Sequence, residues 1–263
     1  MSATGSLAAK AAFFIGILVF GNLAAVIPAS ATEPWTGFYV GLNAGYGWSR
    51  TNSSLEGLLY GTPTPFDDEI PASYRISSNG FIGGGQIGYN FQINKAVLGI
   101  ETDFAFSGIK GDATATGPVT SGSPPTTQDF ISTRSQSLHW FSTLRGRLGY
   151  TPDNLLLLYA TGGLAFGRYE DSMRLSFLGV GGSTFAGSET LTRTGWTLGG
   201  GVEYRISGNF TAKLEYLYFD LGSATLVGLD VKFPNQPFQS QSQFDHNGHL
   251  VRVGLNYKFG ASR

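Results

Sequence analysis

LVRVGLNYKF, residues 250–259, decides how the rest of the chain is read. Every second residue, Val251, Val253, Leu255, Tyr257 and Phe259, is apolar or aromatic; between them lie Arg252, Gly254, Asn256 and Lys258. This is a period-two strand of about ten residues, the length that crosses a bilayer when tilted. Its second face is too polar for the core of a soluble sandwich. It suits a wall whose outer side meets hydrocarbon and whose inner side is polar. A last strand of this kind has to pair with the first, because hydrocarbon tolerates no unbonded edge.

Seven further segments alternate in the same way. Trp35–Trp48 places Phe38, Val40, Leu42, Ala44, Tyr46 and Trp48 on one face. Gly80–Gln92 and Ala96–Ser107 flank the turn Ile93-Asn94-Lys95; Leu138–Tyr150 and Leu155–Gly167 flank Thr151-Pro152-Asp153-Asn154; Gly195–Ile206 and Phe210–Leu221 flank Ser207-Gly208-Asn209. The stretches 49–78, 108–134, 168–193 and 222–248 are rich in Ser, Thr, Pro, Gly and Asp and read as long loops. Short and long connections alternate strictly. The expected fold is therefore all-β: an eight-stranded antiparallel up-and-down transmembrane β-barrel, with short periplasmic turns and four long extracellular loops. Outward aromatics bunch at both strand ends, with Tyr89, Phe91, Tyr150, Tyr204, Tyr257 and Phe259 towards the turns. Tyr46, Trp48, Phe81, Phe106, Trp140 and Trp196 lie towards the loops, so two interfacial girdles are expected.

Composition agrees. Only 13% of the 263 residues are charged, against about 25% in soluble domains. The net charge of −1 excludes a basic nucleic-acid binder. Cysteine is absent, and a wall closed by its own ladder needs no disulfide. Lys10, the apolar run Ala11–Val26 and Ala29-Ser30-Ala31 describe a secretory signal over residues 1–31, cleaved after Ala31; residues 32–263 form the barrel.

An eight-stranded interior is about wide enough for side chains alone. Glu101, Asp103, Arg145, Arg147, Glu203, Lys213, Glu215 and Arg252 all point into it, with opposite signs on adjacent strands. Burial makes unpaired charges very costly, so this set reads as a structural charge cluster; a gated ion path is the functional alternative.

Three motifs need weighing. Gly83-Gly84-Gly85-Gln86-Ile87-Gly88 satisfies G-x-G-x-x-G, but it lies inside an alternating strand instead of opening a helix, so no nucleotide site follows. Of the three histidines, His246 and His249 stand beside Asp245 at a loop end and read as surface residues; no metal or other cofactor is expected. His139 is expected to point inward and Leu138 outward. A lipid-modifying enzyme would need a serine beside a histidine at the lipid-facing rim, and no such nucleophile is evident, so no enzyme activity is expected.

Trp35-Thr36-Gly37-Phe38-Tyr39, Leu144-Arg145-Gly146-Arg147-Leu148-Gly149-Tyr150, Leu158-Tyr159-Ala160-Thr161-Gly162-Gly163, Leu214-Glu215-Tyr216 and the closing Leu250–Phe259 resemble a known group across nearly the whole mature chain. It is the small outer-membrane β-barrel family of Gram-negative bacteria, the outer membrane immunogenic or porin-family (RopB-like) proteins, akin to the OmpA membrane domain. The resemblance implies a cell-surface protein of the outer membrane with no established enzyme chemistry. It also implies outer-membrane lipid and lipopolysaccharide as surroundings, and the barrel-assembly machinery as partner during biogenesis. It marks Val253, Leu255, Tyr257 and Phe259 as the assembly signal; this chain departs from the pattern in continuing through Gly260-Ala261-Ser262-Arg263. The expected role is structural, serving envelope integrity or surface interaction through the loops. A narrow diffusion pore for small solutes is the alternative, and a lipid-modifying barrel enzyme a third.

Overall fold

Alternating sequences become strands because successive side chains leave opposite faces of the backbone. The computed structural model describes residues 33–59, 62–64, 73–121, 126–179, 182–232, 234–235 and 238–259. The expected leader and the tail after Phe259 lie outside the described residues. Among the described residues nine strands form one antiparallel sheet. They are β1 Gly37–Leu59, β2 Thr62–Thr64, β3 Ser73–Ile93, β4 Ala96–Ser121, β5 Thr126–Tyr150, β6 Leu156–Leu178, β7 Thr184–Ser207, β8 Phe210–Asp230 and β9 Phe238–Lys258.

The expected eight-stranded barrel with four long loops is corrected here on two counts. First, there is a ninth strand, β2, which pairs with the end of β1, from Gly57↔Thr64 to Leu59↔Thr62. More important, most of each expected loop is strand: β4 runs on to Ser121 and β5 starts at Thr126, for example. Farther along most strands, apolar residues take the inward face. Near the turns, apolar residues such as Leu42, Leu144 and Leu255 face outward. Beyond the second aromatic girdle, Ile76, Val119, Phe130, Met173, Leu175, Phe185, Leu226 and Phe244 face inward and form a core of their own. A search for outward apolar faces cannot see a strand whose apolar face points the other way.

Second, pairing does not run unbroken around the sheet over its full length. β9 pairs with β1 from Tyr39↔Lys258 to Trp48↔His249, so the last strand does return to the first near the turns. Farther out that ladder is interrupted until Ser54↔Gln243. The β3–β4 ladder ends at Asn79↔Lys110, and β7–β8 is interrupted between Ala186↔Leu229 and Trp196↔Asp220. On β7, the side chains of Ser188, Glu189, Thr190, Leu191 and Thr192 are all exposed, as an edge left without its neighbour requires.

Two of the tight connections are two-residue turns that use backbone able to adopt positive φ. Asn94 has φ 56° and Gly208 has φ 51°, the conformations that Asn and Gly supply at two-residue hairpins. In the third, the Asp153 carboxylate accepts the Leu156 amide at 2.9 Å.

Candidate functional site: the buried charge cluster

The eight predicted charges meet in one layer of the interior, and the ladders set who stands beside whom. Glu101 is opposite Arg145, Glu203 opposite Lys213, and Glu215 opposite Arg252. All eight side chains are buried. Four carboxylates face four cations, so the layer is formally neutral.

The shortest ion pairs cross the interior as often as they follow adjacent strands. Arg145 donates to Glu215 and to Asp103 at 2.9 Å each, to Glu101, and through Nε to the Thr143 hydroxyl. Arg147 reaches Glu203 at 2.7 Å. Lys213 Nζ lies 3.0 Å from both oxygens of Glu101, and Arg252 contacts Glu215 at 2.5 Å and Asp103 at 3.1 Å. Each guanidinium thus meets two or more acceptors, the condition under which buried charge is tolerated.

Sequence reasoning missed the neutral groups that complete this layer. The Tyr39 hydroxyl donates to Glu101 at 2.8 Å and accepts from Arg147 at 2.8 Å. The Tyr159 hydroxyl donates to Glu215 at 3.1 Å, and its ring lies 3.9 Å beneath the Arg147 guanidinium. Thr211 and Asn256 donate to Glu203, and the amide chain continues from Gln86 to Asn256 and from Asn43 to Gln86. Tyr39 was legible as inward by parity alone; its partners were not. Gly88, the last glycine of the G-x-G-x-x-G stretch, finds its reason here, since a Cβ at that position would run into the Tyr39 hydroxyl.

Below the charges, towards the turns, Trp35 packs into the interior with Val97, Leu157 and Tyr159. Its indole donates to Thr151 at 3.1 Å and its backbone amide to Gln92 at 2.9 Å. Above the charges sits an apolar layer of Ile82, Ala105, Ile109, Leu138, Phe141, Ala165, Tyr169, Leu217, Phe219, Leu221 and Leu250. A small, partly open void bordered by Trp48, Ser49, Ser78, Gln136, Leu138 and Phe219 measures about 10 Å³, room for about one water.

Three expectations about single residues are corrected. A β-bulge between Leu138 and Trp140 turns Leu138 inward and leaves His139 exposed beside Glu170, at 2.9 Å. An inserted residue shifts the parity of everything beyond it, which period-two reading cannot anticipate. His246 is fully buried, against the surface position expected of it, and bonds to Asp171 at 2.8 Å with the Tyr169 ring packed edge-on at 4.3 Å. His249 stays on the outer face, stacked on Trp48. Among the described residues no group of three or more His, Cys, Asp or Glu could hold a metal ion. Val253, Leu255, Tyr257 and Phe259 all face outward.

The outer membrane protein beta-barrel domain model matches residues 17–259. The chain is 39% identical over 229 residues to the 31 kDa outer-membrane immunogenic protein of Brucella melitensis, covering 87% of this chain and 85% of the relative. It is 32% identical over 178 residues to a 22 kDa outer membrane protein of Rhizobium leguminosarum, covering 67% and 66%. Among solved structures, Ail, the attachment invasion locus protein of Yersinia pestis, aligns over 84% of this chain and 99% of its own at 12% identity, with a TM-score of 0.34, too low to bear on the fold. With outward apolar strands, inward charges and relatives of this kind, the chain belongs to the outer membrane protein beta-barrel domain family of Gram-negative outer membranes.

Proposed function

We propose that this outer-membrane protein is a non-conducting structural component whose far strand ends form a surface for envelope integrity or external contact. In this reading Glu101, Asp103, Arg145, Arg147, Glu203, Lys213, Glu215 and Arg252 are a polar core, not an ion path.

The observation that carries it is the stacking of the interior. An ion leaving the charge layer meets Phe141, Phe219, Leu138, Leu217 and Leu250, packed side chain to side chain. Apolar constrictions of this kind stop ions because the ion cannot shed its water there without compensation. The Ile76–Phe244 core and the Trp35 cluster add further apolar layers on either side. Single-channel recording of the purified protein in planar bilayers tests this. A silent membrane is expected; stable conductance steps overturn the proposal and favour a diffusion pore for small solutes.

A further inference from the structure

The four cations of the charge layer are all ion-paired, whereas among the described residues several exposed cations are not, and three of these gather on one side of the sheet. Arg50, Arg75 and Lys110 are exposed and form no ion pair among the described residues. They fall on three adjacent strands just past the second aromatic girdle. Trp48 is opposite Asn79, Asn79 opposite Lys110, and Arg50 opposite Ser77, with Arg75 two residues farther along β3. Neighbouring strands are about 4.8 Å apart and same-face residues about 6.7 Å, so the three Cα positions lie within roughly 14 Å of one another. Long side chains at this spacing can converge on one anionic headgroup.

The lower rim of the patch is aromatic. Tyr46 packs edge-on against Phe81 at 5.3 Å and donates to Asn79 Oδ1 at 2.8 Å, which leaves the Asn79 amide nitrogen to donate outward. Trp48 is stacked with His249 at 5.6 Å. Such rings mark the level where hydrocarbon gives way to headgroups. Among the described side chains Asp112, two residues past Lys110, and Asp245 on β9 are the neighbouring acids, and neither pairs with the three cations.

We propose that Arg50, Arg75, Lys110 and Asn79 form a binding site for the phosphate-bearing headgroup of an outer-leaflet lipid, with Tyr46, Trp48 and Phe81 against the lipid body. Unpaired cations at the interface recruit anionic headgroups, and guanidinium groups bind phosphate oxygens through paired N–H donors. The position directly above the girdle favours a membrane lipid over a free anion, because only the lipid presents phosphate and hydrocarbon together. This rests on the outward orientation of the far strand ends in the proposed function and not on whether the protein conducts.

Native mass spectrometry of the full chain in non-ionic detergent tests the site, with three probes: bisphosphorylated lipid A, the same lipid stripped of phosphate, and inorganic phosphate as competitor. The wild type should retain the bisphosphorylated lipid. The triple variant R50Q/R75Q/K110Q should lose at least about tenfold in affinity, while R174Q, an exposed cation elsewhere, leaves it unchanged. Equal retention by the triple variant, or equal binding of the phosphate-free lipid, overturns the proposal. So does full displacement by inorganic phosphate, which would mean a site for free anions. Should the triple variant lose the heat-modifiable gel mobility of a folded outer-membrane protein, the three single variants decide: each is expected to weaken binding a few-fold, and no change in any of them overturns the proposal. Bilayer recording is indifferent to these outcomes, so the two readings fail separately.

Discussion

Lys213 Nζ lies 3.0 Å from both carboxylate oxygens of Glu101, although the residues sit on β8 and β4, which are not neighbours in the sheet. The pair spans the interior, and it shares Glu101 with Arg145. Buried charges coupled in this way stand or fall together, because removing one partner leaves the other desolvated and unmatched.

Arg145→Ala should therefore lower stability by about 3–5 kcal/mol, read as a shift of the urea midpoint in micelles. An unchanged midpoint would count against the pairing. Lys213→Met and Glu101→Gln should each destabilise, while the double variant costs less than their sum, since it removes both charges at once. Strict additivity would mean that the two side chains do not interact.

The far half of the strands has its own apolar core, in which Leu175 is completely buried. Leu175→Ala should cost about 2–5 kcal/mol locally. Hydrogen exchange should speed up in the far half of β5 and β6 while amides near the turns stay protected. Uniform loss of protection across both halves would show that the two cores unfold as one unit.

The chain lacks cysteine, so single-cysteine labels report without interference. Labels at Leu144 and Leu255, exposed on the outer face, should be quenched by lipid-soluble agents. Labels at Thr114 and Thr116, outward on β4 but past the girdle, should respond to water-soluble quenchers instead. If Thr116 behaves like Leu255, the switch to inward apolar residues does not mark the edge of the membrane.

Phe259 ties the end of the closing strand to β1: its amide donates to the Phe38 carbonyl at 2.8 Å, and its ring packs on Tyr257 at 5.2 Å. As part of the proposed assembly signal with Val253, Leu255 and Tyr257, it should matter more to insertion than to the finished fold. Phe259→Ala is expected to reduce the yield of membrane-inserted protein by several-fold, with little change in the urea midpoint of the fraction that folds. Normal yield would remove Phe259 from that role.

By itself the sequence determined whatever depends on neighbours along the chain. Alternation told inside from outside over the half near the turns, and Asn94 and Gly208 marked reversals where positive φ is required. Parity alone put the eight charges of the central layer on the inward face, but Arg134, Asp171 and Asp230, buried farther along the strands, were not among them. Tertiary structure decided the rest, because it depends on register and on what lies across the interior. Only the ladder offsets bring Arg147 to Glu203 and Lys213 to Glu101. A single inserted residue at the Leu138 bulge turned His139 out and Leu138 in, and nothing local announces it. The Ser- and Thr-rich stretches looked like loops because their apolar residues are few and divided between the faces, with Ile131, Leu191, Val227 and Leu229 outward and others inward. They hold as strands where eight such residues, from Ile76 to Phe244, are gathered from different strands into one core. Burial is a property of the assembled sheet, and no stretch of chain carries it alone.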